Sequence, residues 1–180
     1  MMLIGARDPA TMNAAQRALY DRIASGPRGD VPKPFLAMLD APDIADAIQA
    51  VGAAIRFGGA LPDDRREVAI LAAAAAYGSG YEWDYHLPIA RRLGVSQAVI
   101  TAARSGDIRP LEGAEPPEMA AIIGFCRAAI ADNKADPVHL AMLGASLGRA
   151  GASEVVAIAG YYPLLALFLA AAGLDHPVGG

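Results

Sequence analysis

The sequence predicts an all-α protein, and three observations support that fold class. Hydrophobic residues make up 54% of the 180 residues, and the most frequent of them is alanine, which has the highest helix propensity. Aromatic residues amount to only 6%, and the β-branched residues typical of strands are scarce. The 19 glycines and 13 prolines divide the chain into segments of helical length. This length suits one domain with a substantial core, so we expect residues 1–180 to form a single domain.

Capping residues and helix breakers define the elements of the first half of the chain. Thr11 or Asn13 caps a first helix that runs through Ala24, because either side chain can accept a hydrogen bond from a free backbone N–H. Gly, Pro and Asp cluster in the loop that follows. Two later helices each have a proline at their start, where it is tolerated, and the second also has two aspartates that the helix dipole favours. The predicted segments are the helix 13–24, the loop 25–33, a short helical turn 34–39, and the helices 43–57 and 62–77.

Glycines and serines define the second half. The tract Gly78–Ser79–Gly80 interrupts the preceding helix, Gly94 ends the next one, and Ser96 caps another. A Pro- and Gly-rich loop over 106–117 is the longest connection. The predicted helices are 81–93, 96–104, 118–133, 137–149 and 153–172, about eight in all, and the tail 175–180 is expected to be loose.

The charge of the chain argues against a nucleic-acid partner. Its formal net charge is −4 and its pI is about 5.3, whereas a nucleic-acid surface needs clustered Lys and Arg. The arginines are scattered apart from the pairs Arg65–Arg66 and Arg91–Arg92. One of these, such as Arg65 or Arg91, can hold the carboxylate of a small organic anion, and the sequence does not select between them.

Cysteine content and hydropathy indicate the cellular compartment in which the protein is expected. Cys126 is the only cysteine, which excludes an internal disulfide, a Cys-x-x-Cys redox motif and a thiolate zinc site. The N-terminal ten residues are too weakly apolar for a secretory signal, and we expect a cytoplasmic protein. The stretch 155–174 has no charged residue and is long enough for a membrane span. Gly160 and Pro163 near its centre and the lack of basic flanks favour instead a helix buried in the core or at a subunit interface.

Three polar residues form the strongest candidate for a chemical centre. Glu82 and His86 are four residues apart and therefore share one face of a helix. Glu67 lies on the preceding helix amid apolar neighbours, where an imidazole is a natural partner for a buried carboxylate. A break at 78–80 lets the two helices fold back and bring Glu67 to Glu82 and His86. Such a cluster suits general acid–base catalysis, although each residue alone is also compatible with a solvated helix face.

The segment 67–94, EVAILAAAAAYGSGYEWDYHLPIARRLG, resembles the core of the carboxymuconolactone decarboxylase and alkylhydroperoxidase D superfamily. The peroxidase branch of that superfamily has a glutamate, eleven residues, Cys-x-x-Cys, three residues and a histidine. On this chain the glutamate and histidine are Glu67 and His86, and the cysteine positions are Ser79 and Glu82. The tract from Tyr81 to His86 is similar to the cysteine-free branch, in which Tyr-x-Trp-x-x-His is common. Weaker resemblance extends to 34–36 and 160–162, around a family core at about 40–105.

The resemblance implies an all-α fold built around a helical hairpin, assembled as a trimer or hexamer through apolar helices. It also implies a small pocket near a subunit interface, with His86 as the catalytic acid or base. Thiol-dependent peroxide reduction needs a thiolate nucleophile, which neither Ser79 nor Glu82 supplies. The thiol peroxidase activity of the family is therefore not expected.

Aromatic and hydroxyl side chains around this motif are the candidates for substrate binding. Tyr161 and the adjacent Tyr162 lie in the charge-free final helix, where a buried tyrosine hydroxyl needs a hydrogen-bond partner. Trp83 is more often a core or interface residue than a substrate platform, and core packing explains the tyrosines equally well. The predicted substrate-binding residues are Tyr81, Trp83, Tyr85, Ser79 and Tyr161, and Tyr77 is a further possible donor.

The leading hypothesis for function is a cofactor-independent lyase, such as a decarboxylase, or isomerase acting on a small organic acid or lactone. His86 moves the proton, Glu67 orients His86, and Glu82 is a second acid or base. No metal or other cofactor is expected, although two carboxylates and one imidazole can form a facial triad on iron or manganese. Two alternatives stay open: a redox protein that uses Cys126 or a metal, and a non-catalytic binding protein of the same fold.

Overall fold

The computed structural model describes residues 3–6 and 8–179, and within these ranges all the regular secondary structure is helical. The predicted fold class is therefore confirmed. Two 3₁₀ turns, Pro9–Thr11 and Arg109–Leu111, accompany the α-helices. The α-helices are α1 (Ala14–Ala24), α2 (Lys33–Met38), α3 (Pro42–Phe57), α4 (Asp63–Tyr77), α5 (Gly80–Arg92), α6 (Gln97–Ser105), α7 (Pro117–Ala131) and α8 (Pro137–Ala171).

The helix boundaries follow the predicted capping chemistry. The Asn13 side chain accepts a hydrogen bond from Gln16 N, and the Gln16 side chain accepts one from Asn13 N, which forms a capping box at the start of α1. Thr11 lies in the 3₁₀ turn and does not cap α1. The Ser79 and Ser96 side chains cap α5 and α6 by accepting hydrogen bonds from Glu82 N and Val99 N. Gly78 ends α4 with φ of 91°, a left-handed conformation that favours glycine.

Helix α4 lies at the centre of the protein and contacts α5, α6, α7 and α8. Its residues from Val68 to Ala74 are all 0–1% exposed. The alanine side chains of this stretch add little bulk, so neighbouring helices can pack closely around α4 on every side. Helices α1, α2 and α3 lie together beside this arrangement, and α2 and α3 also contact α8.

The predicted break between the last two helices is present, but it is a kink and not a loop. Segments 137–149 and 153–172 were predicted as separate helices, and the non-helical residue Gly148 divides α8 near the predicted break. Gly148 has φ of 70° and ψ of 173°, so one residue changes the helix direction without a connecting loop. The following residues, Gly151 and Ala152, stay helical and buried.

Helix α8 is, among the described residues, the one helix long and apolar enough to cross a bilayer. One face of it is nevertheless buried in the core, with Leu143, Val155, Ile158 and Leu169 each fully buried. Such partial burial against other helices fits a core helix of a soluble protein.

The C-terminal tail is ordered against α5, so the prediction of a loose tail is wrong. Gly80 N donates to His176 O at 2.7 Å, and Tyr81 N donates to Asp175 Oδ1 at 3.0 Å. The first N–H groups of a helix have no partner within the helix, and here the tail provides those partners.

Candidate functional site

Helices α4 and α5 form a hairpin that brings Glu67 and His86 together in the interior. Glu67 Oε2 lies 2.7 Å from His86 Nδ1, and both residues are only 2% exposed. The connection through Gly78 and Ser79 reverses the chain within two residues, so positions 19 apart in sequence face each other. The expected juxtaposition of these two residues is confirmed, while their chemical roles stay a prediction.

The second ring nitrogen of His86 faces two further groups. Tyr162 Oη lies 3.3 Å from His86 Nε2, and Glu82 Oε2 lies 3.8 Å from it. Glu82 is 3% exposed, and its Oε1 has no hydrogen-bond partner. Buried polar atoms almost always have a partner, so an unpartnered carboxyl oxygen beside a cavity is unusual.

The hydrogen bond with Glu67 defines which nitrogen of His86 carries the proton. A carboxylate can only accept, so Nδ1–H donates to Glu67 and Nε2 is left with its lone pair. Burial lowers the pKa of His86, and the hydrogen bond and charge of Glu67 oppose that shift without cancelling it. Neutral His86 therefore accepts the Tyr162 hydroxyl proton at Nε2 and presents this basic nitrogen toward Glu82.

The pKa of Glu82 is shifted in the opposite direction to that of His86. Burial raises its pKa to about 8, with the negative charge of Asp175 adding to the shift and the positive charge of Arg56 opposing it. At pH 7 Glu82 is thus a neutral carboxylic acid that can donate a proton. The imidazole and the carboxyl group, within 3.8 Å of each other, form a base and an acid at the same pH.

A cavity of about 30 Å³ opens beside Glu82 and His86. Its wall combines tyrosines of α5 and α8, apolar residues before and within α2, and two arginines. The lining residues are Arg28, Pro32, Pro34, Phe35, Gly52, Arg56, Tyr81, Glu82, Tyr85, His86, Tyr161, Tyr162 and Leu165.

Two arginines give this cavity a positive wall. The Arg28 guanidinium lies 4.8 Å from the centre of the Phe35 ring, and the Arg56 guanidinium lies 5.5 Å from the Tyr85 ring. Arg28 also donates to the side chain and backbone oxygens of Gln49, each at 3.4 Å. Neither arginine forms an ion pair with a carboxylate in the described part of the chain.

The structure separates the predicted substrate-binding residues into two groups. Tyr81, Tyr85 and Tyr161 line the cavity, as does Tyr162. Ser79 and Trp83 do not, and their expected role needs correction. Ser79 is fully buried as the cap of α5, where its hydroxyl accepts from Glu82 N. Trp83 is 4% exposed and packs in the core beneath Arg104.

The arginines named from the sequence are also not those of the cavity. Arg65 pairs with Asp64 and Glu118, and Arg91 is exposed near the end of α5. Tyr77 is 39% exposed and lies outside the cavity as well. Sequence reasoning missed Arg28 and Arg56 because one lies in a loop and the other at the end of α3. Helical spacing in the sequence does not relate either arginine to Glu67, Glu82 and His86 on α4 and α5.

The metal and thiol alternatives find little geometric support. Glu67 and Glu82 approach opposite nitrogens of the same imidazole, and no group of three potential ligands suited to a metal occurs in the described residues. Cys126 is fully buried, and its Sγ lies 3.7 Å from Ala69 O. Burial raises the pKa of this thiol to about 12, which keeps it protonated and unreactive at neutral pH.

Residues 42–111 match the model of the carboxymuconolactone decarboxylase family. The resemblance to this family is therefore confirmed over this segment. The matched segment runs from α3 through the second 3₁₀ turn and includes Arg56, Glu67, Glu82 and His86, whereas Arg28 and Tyr162 lie outside it.

Two solved structures share the fold along nearly the whole chain. One is an uncharacterized peroxidase-related protein from Ralstonia eutropha JMP134 with an alkylhydroperoxidase AhpD core, at 21% identity and a TM-score of 0.71. The other is a cysteine-to-alanine variant of the debrominase Bmp8 in complex with 2,3,4-tribromopyrrole, at 19% identity and a TM-score of 0.72. Each comparison covers 96% of this chain and 90% of the other. No curated protein sequence matches the chain.

Proposed function

We propose that this protein is an enzyme that acts on a small organic anion by acid–base catalysis and does not use a thiol. The observation that supports this most is the pair of His86 and Glu82 beside one cavity. His86 is held as a neutral base, and Glu82 is held as a neutral acid. Titratable groups whose environments push their pKa values apart are a common mark of acid–base sites.

Each residue of the site has a distinct part in the proposed reaction. Glu67 accepts the Nδ1 proton of His86 and so keeps Nε2 available to remove or return a proton. Glu82 donates its proton to the substrate, because its unpartnered Oε1 is free for a new hydrogen bond. Arg28 and Arg56 bind the anionic group of the substrate and stabilise charge that moves toward it.

Decarboxylation of a β,γ-unsaturated lactone acid illustrates the chemistry. The bond between the ring carbon and the carboxylate breaks, CO₂ leaves, and the electron pair passes into a dienolate. That dienolate takes one proton from Glu82 at carbon. His86 Nε2 then takes a proton from water, leaving hydroxide, and passes it to the Glu82 carboxylate, which lies 3.8 Å away. An isomerisation would use the same groups, with His86 Nε2 removing a proton next to a carbonyl and Glu82 returning one.

The relatives support an enzyme with a small unsaturated substrate. The family description names a decarboxylase, and one structural neighbour is a debrominase bound to a small heterocycle. A thiol-dependent route has no support in this chain, because its one cysteine is buried and protonated.

The size of the cavity limits how a substrate enters. About 30 Å³ is room for roughly one or two water molecules. An organic acid therefore enters only if side chains of the wall move, and the long side chains of Arg28 and Arg56 are the simplest to displace. Binding then replaces their aromatic contacts with ion pairs to the substrate.

The test is turnover of carboxymuconolactone, the compound in the family's name, followed by release of CO₂. We expect His86→Gln to lower kcat by about 10²–10⁴. His139→Gln, which changes a half-exposed histidine at the start of α8, is the matched control and should leave kcat unchanged.

If His86→Gln turned over the substrate like the wild type, the acid–base proposal would be wrong. If wild-type protein bound carboxymuconolactone and related lactone acids and formed no product from any of them, the non-catalytic alternative would replace it. Binding is measured by calorimetry on the same samples.

A further inference from the structure

The C-terminal tail lies on the end of the helix that carries most of the site. Helix α5 contributes Tyr81, Glu82, Tyr85 and His86 to the cavity. The free N–H groups at its start are bound from outside: Gly80 N by His176 O, Tyr81 N by Asp175 Oδ1, and Glu82 N more weakly by Ser79 Oγ at 3.4 Å. Two of these three partners belong to the tail.

The tail and α5 are also in close steric contact. A side chain at Gly80 would lie 2.2 Å from His176 Nδ1 and 2.5 Å from the carbonyl oxygens of His176 and Pro177. Residue 80 therefore has to be glycine for the tail to reach the helix. His176 Nε2 lies 3.5 Å from Asp84 Oδ2, which adds an exposed contact to the same helix.

Asp175 is the charged group in this contact. Its Oδ1 accepts from both Tyr81 N and His176 N, at 3.0 Å and 2.8 Å. The hydrogen bond to Tyr81 holds the residue that directly precedes Glu82. The Asp175 side chain therefore holds the first turn of α5 at the residue before Glu82.

We infer that Asp175 is a positioning residue of the site: its carboxylate holds the first turn of α5 through Tyr81 N, and its negative charge acts on Glu82, the next residue of that turn. The part concerning catalysis rests on the proposed function. The part concerning the protonation of Glu82 does not, and it can be measured without a substrate.

Several charged or titratable groups lie around Glu82, and the charged ones shift its pKa in different directions. From α5 itself comes His86, from α4 Glu67, from α8 Tyr161 and Tyr162, from α3 Arg56, and from the tail Asp175. His86 is neutral, and the pKa values of the two tyrosines are raised by burial, so these three groups carry no charge at pH 7. Arg56 favours the ionised form of Glu82, and Asp175 opposes it.

The experiment is a titration of the Glu82 carboxyl carbon by NMR, in protein labelled with ¹³C at glutamate Cδ and assigned with Glu82→Gln. The wild-type midpoint is expected near pH 8. Asp175→Asn keeps an oxygen that can accept from Tyr81 N and removes the charge. We expect its midpoint to fall by about half a pH unit, the order expected for one charge across a partly solvated gap.

Two further variants separate charge from position. Asp175→Glu restores the negative charge and should return the midpoint toward the wild-type value. Asp84→Asn removes the same charge from an exposed position on α5 that faces His176, and it should leave the midpoint unchanged. Circular dichroism confirms that each variant keeps its helices.

The inference is overturned if Asp175→Asn titrates with the wild-type midpoint, or if Asp84→Asn shifts it as much. The same variants also report on the proposed function in a separate way. A lowered Glu82 midpoint with an unchanged pH profile of kcat would support the inference about Asp175 and contradict the catalytic role of Glu82.

Discussion

The two sides of the His86 ring differ in one respect that matters for chemistry. Glu67 and Glu82 are almost equally buried, at 2% and 3% exposure, and both approach the same imidazole. Glu67 has a 2.7 Å hydrogen bond to Nδ1, whereas Glu82 lies 3.8 Å from Nε2 and has an unpartnered oxygen. Hydrogen bonding therefore distinguishes the two carboxyl groups where burial does not, and on the proposed function Glu67 positions the ring while Glu82 donates the proton.

The origin of the difference is the helix on which each carboxyl group lies. Glu67 reaches His86 from a second helix, so its carboxylate can meet the ring nitrogen directly. Glu82 is one turn away on the same helix as His86, where side chains run alongside each other. The cavity lies beside Glu82, and no group of residues 3–6 and 8–179 forms a hydrogen bond with its Oε1.

The largest expected effect comes from Glu67→Gln, which changes the hydrogen bond at Nδ1 of His86. The amide can donate to Nδ1, and the proton of His86 then moves to Nε2, where it blocks the base. We expect kcat to fall by about 10³–10⁴, as for other carboxylate–imidazole pairs that lose the correct tautomer. Glu118→Gln, a glutamate paired with Arg65 outside the cavity, is the control. A kcat within tenfold of wild type for Glu67→Gln would contradict the positioning role.

Glu82→Gln tests the Nε2 side of the His86 ring, which faces Glu82, through the pH profile of kcat. With Glu82 at a pKa of about 8, wild-type kcat should fall above that pH as the acid ionises. The amide cannot donate an acidic proton, so we expect a loss of about 10²-fold at pH 7 and no decline specific to pH 8. A variant that kept the alkaline decline would show that another group produces it.

The same substitution has a consequence for stability with a defined sign. The pKa of Glu82 is raised from 4.5 to about 8 in the folded protein, so its contribution to stability is present below about pH 4.5 and is lost as pH rises toward 8. Because the amide of Glu82→Gln does not titrate in this range, the variant does not lose this contribution as pH rises. Urea denaturation at pH 5 and pH 9 should show a smaller fall in the free energy of unfolding for the variant, and an equal fall would contradict the buried, protonated state.

The sequence predicted the helices and the Glu67–His86 contact well, for a physical reason. Capping residues such as Asn13 and Ser96 act on the next three residues, so their effect is local and can be read from spacing. A break between 149 and 153 was predicted and lies at Gly148, but the sequence did not show which glycine provides it, because a positive φ is available to any glycine. The ordered tail was missed because its partner, the start of α5, lies 94 residues away.

A smaller effect is expected at the positive wall of the cavity. Arg56→Gln removes one charged hydrogen-bond donor from the proposed anion site, which corresponds to about 1.5–3 kcal/mol of binding. KM should rise about 10- to 100-fold, while kcat changes far less. Arg91→Gln, on an exposed arginine of α5, is the control. An unchanged KM for Arg56→Gln would place the anion elsewhere.

The smallest effect is expected at Cys126. The thiol is buried and its pKa is about 12, so Cys126→Ser should leave kcat within about twofold of wild type. Neither protein should reduce hydrogen peroxide in the presence of a dithiol. Peroxide reduction by wild type that the serine variant lacked would restore the redox alternative.

The sequence by itself determined the all-α fold class, the helix boundaries near caps and glycines, and the Glu67–His86 pair, because these depend on local chemistry and helical spacing. Only the tertiary structure decided which arginines and tyrosines face the cavity. It also placed Ser79 and Trp83 outside the cavity and Asp175 beside Tyr81. These contacts join residues far apart in the chain, and their geometry depends on how all the helices pack together around α4.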